Sequence, residues 1–274
     1  MDQQELDNFK RWFSEYCRSF YTSDQADQKN IILKEEHTLN VVGNMAEISR
    51  HLGLNAADST LAAAIALFHD VGRFPQYARY KTFRDSISTN HAALGAAVLI
   101  EHEVLSRLPK AERDAIIRAV TLHNVFAVPD HLDADTLRWV KMIRDADKLD
   151  IWRVFVVFYA QQDEHRPNAV SLGLPDTEEY SAQVLSSVFR REMVHLTSLR
   201  TLNDFRLLQL AWVFDLNFTR SLEMLLERSY IDGLAANLPR TAEVRQVVDT
   251  VRGYVDIKVR SGKYPDRDGR MTAP

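Results

Sequence analysis

An all-α fold is what this 274-residue chain predicts, and three features predict it. Apolar residues recur at three- and four-residue steps along most of its length, as one buried helix face requires. No alternating apolar and polar stretch is long enough to make a useful strand. The 9 glycines and 8 prolines are too few for a loop-rich all-β protein or a disordered chain.

Leu6, Phe9, Phe13, Tyr16 and Phe20 make the stripe of a first amphipathic helix. Residues 24–29 read as a polar break, and a second helix starts at about Asn30. It carries Leu33, His37, Val41, Met45, Ile48 and Leu52 on one face until Gly53 stops it. Asp58 or Ser59 caps a third helix, whose Leu61, Ile65 and Phe68 turn inward and which ends at Gly72. Residues 73–88 show no period and read as a loop. Ser88 or Thr89 then caps a helix bearing His91, Leu94, Gly95, Val98 and Leu99. Further helices fit 111–123 and 135–159. The pattern lapses over 161–176, which holds two prolines and a glycine and reads as a joint. Helical spacing resumes over 180–199, 204–228 and 242–259. The expected organisation is an N-terminal helix (1–27), a helical core (28–160), a C-terminal helical extension (161–260) and a flexible tail (261–274).

Composition narrows the class of function. Lys plus Arg is 34 and Asp plus Glu is 38, a formal charge of −4, so bulk charge does not hold the chain on nucleic acid or anionic lipid. The single cysteine, Cys17, forms no internal disulfide, which fits a reducing compartment. The first residues, MDQQELDNFK, have no basic or apolar export region. The longest apolar run, 151–160 interrupted by Arg153, is half what a bilayer demands. A soluble, cytoplasmic protein is expected.

The chemistry lies in where certain histidines and aspartates fall. With 9 histidines, one His-Asp dipeptide is expected about once by chance, so His69-Asp70 alone carries nothing. Its surroundings do. His37 sits on the buried stripe of its helix, and His69-Asp70 ends an alanine-rich buried one. His91 shares a face with Leu94, Gly95 and Val98, and His123 follows Ile116, Ala119 and Val120. Asp147 follows Val140 and Ile143 on an inward stripe that continues to Ile151. Burying so many imidazoles and carboxylates is costly unless they are paired or bind metal, and one shared metal centre satisfies all of them. Asp145 is the fallback for Asp147, because it reads onto a solvated face with Lys141 and Lys148; Asp150 lies at the stripe's edge. His51, His102, His131, His165 and His195 read as helix-end or surface residues, Glu35 and Glu36 as a solvated face, and Trp139, Trp152 and Trp212 as core.

The order His37, His69-Asp70, Asp147 resembles the HD-domain superfamily of metal-dependent phosphohydrolases. His69-Asp70-Val71-Gly72-Arg73 is similar to the family's H-D-x-G-K/R, and Ala146-Asp147-Lys148-Leu149-Asp150 to its A-D-x-L-D/H. His91 and His123 resemble the further histidines of the binuclear branch. The resemblance spans about residues 28–155 and implies a helical core; the C-terminal helices read from spacing lie outside it and are expected to pack on that core. It implies one ion on His37, His69, Asp70 and Asp147, and a second on Asp70, His91 and His123. Mixed imidazole and carboxylate donors suit Mn²⁺, Fe²⁺, Co²⁺, Ni²⁺ or Zn²⁺. Two such ions about 3.5–4 Å apart clamp a phosphate ester, and a bound water ionises near pH 7. The expected reaction is hydrolysis of a phosphate ester by such a hydroxide.

Two family substrates are not expected. His123 is followed by Asn124 and no Gly-Tyr-Pro motif, unlike the cyclic-di-GMP phosphodiesterases, and Arg73-Phe74-Pro75 stands where (p)ppGpp hydrolases carry an acidic pair. Arg73, at the mouth of the site, is a candidate phosphate contact, and Lys148 a candidate anion contact. Tyr77, Arg79, Lys81 and Arg84 interleave cations with aromatics, which suits a nucleotide-like substrate. The competing readings are an HD-type mixed-valent diiron oxygenase, with the same ligands, and a non-catalytic metal-stabilised nucleotide sensor. The C-terminal helices offer a surface for a homodimer.

Overall fold

The computed structural model describes residues 1–160 and 173–261, and the regular structure among them is all helical. The chain divides into two compact units, Met1–Asp150 and Ile151–Pro274, with the division inside one long helix. No described helix is long and apolar enough to cross a membrane.

In the first unit, α1 (Gln3–Arg18) starts where the Asp2 carboxylate accepts from the Glu5 amide, and it buries Leu6, Phe9, Phe13 and Cys17. α2 (Gln25–His51) starts five residues before the sequence reading places it. Asp24 caps it, accepting from the Asp27 amide, so the polar residues read as a break are its first turn. A capped, solvent-facing first turn needs no apolar stripe. α3 (Ala56–Phe68) is capped by Asn55 rather than Asp58 or Ser59. It packs against both α1 and α2, and Phe9 meets Phe68 edge to face at 5.2 Å.

The expected loop over 73–88 is partly helical: α4 (Arg73–Tyr80) buries Phe74, Gln76 and Tyr77, and residues Asp85–Ile87 form a 3-10 turn. Pro75 falls in the first turn of α4, where its missing N–H costs nothing. The helix is too short to show a period. Asn90 caps α5 (His91–Glu101) by accepting from the Ala93 amide. α6 (Lys110–Leu122) and α7 (Ala134–Ala160) follow close to their expected bounds.

Tight backbone contact joins the end of α3 to α5. A Cβ on Gly72 would lie 2.2 Å from the His91 carbonyl oxygen and 2.5 Å from the Gly95 nitrogen. Glycine at 72 therefore lets the His69-Asp70 corner sit directly on the helix that starts with His91.

The second unit begins with the last turns of α7, where Trp152, Phe155, Phe158 and Tyr159 are buried. Trp152 Nε1 donates to the Gln209 carbonyl at 2.9 Å, and Phe155 meets Phe205 edge to face at 5.0 Å. Both partners lie on α9 (Leu202–Ala211), which is buried along its whole length. α8 (Ala182–Phe189) packs on α9, and the helix expected over 180–199 ends there. Arg191 adopts positive φ just beyond it. The helix expected over 204–228 is also broken, by a 3-10 turn at Trp212–Asp215 and extended backbone at Leu216 and Phe218. Asn217 donates from its side chain to the Asp215 carbonyl, a local bond that competes with helix continuation. α10 (Thr219–Glu227), α11 (Tyr230–Ala235) and α12 (Ala242–Ser261) complete the unit. Most of the proline-containing joint and nearly all of the expected tail lie outside the described residues.

Two glycines test this packing in opposite directions. Gly43 lies on an exposed face inside α2, and a methyl added there would meet nothing within 4 Å, so Gly43→Ala raises stability by about 0.5–1 kcal/mol. Gly72→Ala drives a methyl into backbone and lowers stability by about 1–3 kcal/mol. Denaturant midpoints of the two variants measure both.

Candidate metal centre

Four histidines in the first unit turn the same ring nitrogen inward, by two different local devices. His69 and His123 are the C-caps of α3 and α6. Each folds its ring back on its own last turn, with Nδ1 2.7 Å from the carbonyl oxygen of Ala66 or Val120 respectively. A carbonyl only accepts, so Nδ1 carries the proton and Nε2 is left bare. His37, inside α2, places Nδ1 2.7 Å from Asp150 Oδ2. His91, the first residue of α5, places Nδ1 2.7 Å from Asp85 Oδ2.

The inward-facing Nε2 atoms meet in pairs. His37 Nε2 lies 3.3 Å from His69 Nε2, and His91 Nε2 lies 3.0 Å from His123 Nε2. Asp70 stands between the pairs. Its Oδ2 is 3.6 Å from His37 Nε2 and 3.8 Å from His69 Nε2, whereas its Oδ1 is 3.3 Å from His91 Nε2 and 3.8 Å from His123 Nε2. Asp147 belongs to the first pair, with Oδ1 3.1 Å from His37 Nε2 and 3.7 Å from His69 Nε2. Two buried triplets, His37, His69 and Asp70, and Asp70, His91 and His123, each gather their ligand atoms within 4.8 Å.

These donors fit a divalent ion. Bonds of about 2.0–2.1 Å to two adjacent imidazoles put their nitrogens about 2.8–3.4 Å apart, for right-angled to tetrahedral geometry. Both observed pairs fall in that range. In the second pair, Nδ1 of His91 and of His123 each has an acceptor, so two lone pairs face one another across 3.0 Å. A cation between them removes that repulsion.

Protonation follows from burial and neighbours. Burial and the Arg73 guanidinium push His91 down to about 3, so near pH 7 its ring is neutral, the form that ligates metal. Burial and Lys34 oppose the charged form of His37, but hydrogen bonds to Asp147 and Asp150 outweigh them and raise it. Burial works to raise Asp70; Lys34 and Arg73 overcome it and hold the carboxyl well below its ordinary range. Asp147 is likewise held low against its burial, by the hydrogen bond from His37. The site therefore holds ionised carboxylates.

The family model for the HD domain matches residues 35–152. This segment of the chain is an HD domain. The match contains all four histidines together with Asp70 and Asp147, and it bears out the superfamily read from the motifs at 69–73 and 146–150. Comparison with curated proteins and with solved structures finds no match. HD domains bind divalent metals, and the two triplets are where this one could hold them.

Other residues singled out in the sequence fall in different places around the HD domain's centre. Arg73 reaches it: Nε is 3.4 Å from Asp70 Oδ1, while Nη1 donates to Gln76 Oε1 at 2.9 Å and to Asp85 Oδ1 at 3.1 Å. Tyr77 is buried and donates to Asp27 Oδ1 at 3.0 Å; Lys81 pairs with the same Asp27. Those two residues tie α4 to the first turn of α2. Arg79 is exposed and lies over the Tyr80 ring at 5.1 Å, and Arg84 is half-buried. The solvated face read for Asp145 and Lys148 is a correction. Residues 142–146 and 148–150 are all buried, so Asp145 and Lys148 lie on no solvated face. The remaining described histidines, His51, His102, His131 and His195, are exposed; His165 lies outside the described residues.

Lys34 and Asp85 escape the sequence reading, which places Asp150 only at the edge of the inward stripe. Lys34 Nζ donates to Asp70 Oδ2 at 2.8 Å and lies 5.1 Å from the Phe83 ring centroid. It stands one helical turn before His37, the signal that could have found it. Asp150 is 1 % exposed, one turn after Asp147 in the same motif. Asp85 sits in the stretch read as a loop, where no period pointed to it.

Arg144 locks the end of α6, donating Nη1 to the His123 carbonyl at 3.1 Å and also to that of Val125. Arg144→Met leaves two carbonyls without this donor beside His123. It is expected to cost about 1–3 kcal/mol in denaturant unfolding of the metal-free protein.

Proposed function

We propose that the HD domain is a two-metal phosphohydrolase that cleaves a phosphate ester of a small, nucleotide-like metabolite. One observation carries the reading: the two oxygens of Asp70 face two separate histidine pairs. His37, His69, Asp70 and Asp147 would hold one ion, and Asp70, His91 and His123 the other. Mn²⁺, Fe²⁺, Co²⁺, Ni²⁺ and Zn²⁺ suit this donor set. Such ions, when bound, supply Lewis acidity toward a phosphate oxygen and lower the pKa of water to about 7.

The chain's own residues supply charge and shape around that chemistry. Lys34 and Arg73 bring two cations to Asp70, one beside each carboxylate oxygen. A phosphate arriving there meets a guanidinium and an ammonium, and the charge developing on its oxygens is stabilised by fixed donors rather than by mobile water. Phe83 lies under both cations, 5.1 Å from Lys34 Nζ and 5.9 Å from the Arg73 guanidinium carbon. Tyr77 packs on the Phe83 ring at 5.0 Å. Aromatic faces beside phosphate-binding cations favour a substrate with a base to stack, which is the basis for the nucleotide assignment.

Elemental analysis of the purified protein, then a phosphomonoester and phosphodiester panel with the metal found, tests this. The expected result is metal-stimulated release of phosphate or nucleotide. Asp70→Ala and His69→Ala are each expected to lower turnover by at least about 100-fold, beyond the loss typical of residues behind a ligand. A folded, metal-loaded sample that turns over nothing in the panel overturns the reading. Consumption of O₂ by a coupled iron pair assigns the site to oxygenase chemistry instead.

A further inference from the structure

Orientation of the four imidazoles follows from where each sits on its helix. His69 and His123 lie at helix C-termini, so the carbonyl three residues back is within reach of Nδ1. His91 has no such option. It is the first residue of α5, with no earlier turn of its own helix to supply a carbonyl. Its ring direction must come from another segment, and Asp85 is the group that provides it.

Both oxygens of Asp85 face the same nitrogen: His91 Nδ1 is 2.9 Å from Oδ1 and 2.7 Å from Oδ2. The carboxylate is itself held from three directions. Oδ1 accepts from Arg73 Nη1 at 3.1 Å and Gln76 Nε2 at 2.8 Å on α4, and Oδ2 accepts from Asn124 Nδ2 at 3.2 Å beyond α6. A carboxylate behind an imidazole fixes its tautomer and makes the opposite nitrogen a better donor.

We propose that Asp85 is the positioning residue for the second ion: through His91 it sets the affinity of the His91 and His123 half-site and leaves the His37 and His69 half-site unchanged. This rests on the two-metal reading above. Asp150 plays the matching part for His37 in the first half-site.

Mn²⁺ titration of the metal-free full chain, followed by calorimetry and by electron paramagnetic resonance, tests the assignment. Wild type is expected to take two ions and develop the signal of a coupled pair. Asp85→Ala is expected to keep the first binding step and lose about 10- to 100-fold in the second, leaving an isolated Mn²⁺ signal at one equivalent. Asp85→Asn retains an oxygen that accepts from Nδ1–H and is expected to recover most of that loss. In a His91→Ala background, Asp85→Ala is expected to change ion affinity no further, because the residue acts through His91. The proposal is overturned if Asp85→Ala binds both ions as wild type does. It is equally overturned if both steps weaken alike or if Asn rescues nothing. Should Asp85→Ala fail to fold by circular dichroism, the Asn variant and its Glu counterpart decide on the same criterion: second-step loss alone supports the proposal, and no loss or an equal loss in both steps overturns it. A single Mn²⁺ bound by wild type defeats the two-metal reading, and the proposal with it, before any variant is compared.

Discussion

The architecture of the first unit turns on one buried carboxylate shared by four imidazoles. Asp70 stands at the corner after α3, and its two oxygens look in different directions, each toward its own histidine pair. An ionised carboxylate in such a place is costly unless cations compensate it. Lys34 and Arg73 do so from α2 and α4. Much of the surrounding geometry can be read as what is needed to bring these groups to that corner. The close passage of Gly72 against the His91 carbonyl and the Gly95 nitrogen is the clearest case, since a side chain there would push α5, and His91 with it, away from Asp70.

Helix ends do a second part of the work. The last turn of a helix leaves carbonyls without partners, and a histidine at that point can satisfy one while aiming its far nitrogen outward along the axis. His69 and His123 both use this, which makes their orientation a local property of two short sequence segments. His37 and His91 lack it and borrow carboxylates from other segments, His37 from Asp150, 113 positions away, and His91 from Asp85, six residues upstream. Each half of the centre thus combines one ring oriented by main chain with one oriented by a carboxylate. The first kind has a main-chain acceptor that no side-chain substitution removes directly, whereas the second depends on a single side chain.

The second unit follows a different logic. α9 is buried along its whole length although it carries Asn203, Asp204, Arg206 and Gln209. Asp204 completes a capping box with Thr201 and accepts from the Ser181 amide and hydroxyl at 2.6 and 2.7 Å. Arg206 donates to Asn203 Oδ1 at 2.6 Å and lies over the Tyr159 ring at 4.7 Å. Asp204 and the Arg206–Asn203 pair are tolerated inside because they are hydrogen-bonded, and a reading based on apolar stripes alone sees only a helix of mixed character.

What the amino-acid order determined by itself is the helical class, the stripes of α1, α2 and α3, and the inward set His37, His69, Asp70, His91, His123 and Asp147. All of these rest on short-range regularities: a three- to four-residue apolar period, and residues read by the face they share with near neighbours. Tertiary structure alone decided the rest. It buried Asp145 and Lys148 on α7, it made a helix of residues 73–80, and it paired His37 with Asp150, 113 positions away. A period reports which face of a helix is apolar, but not what another segment will lay against it. The partners of Asp70 and of the two carboxylate-backed histidines come from separate helices and from a loop, and only the packing of those segments brings them within hydrogen-bond range.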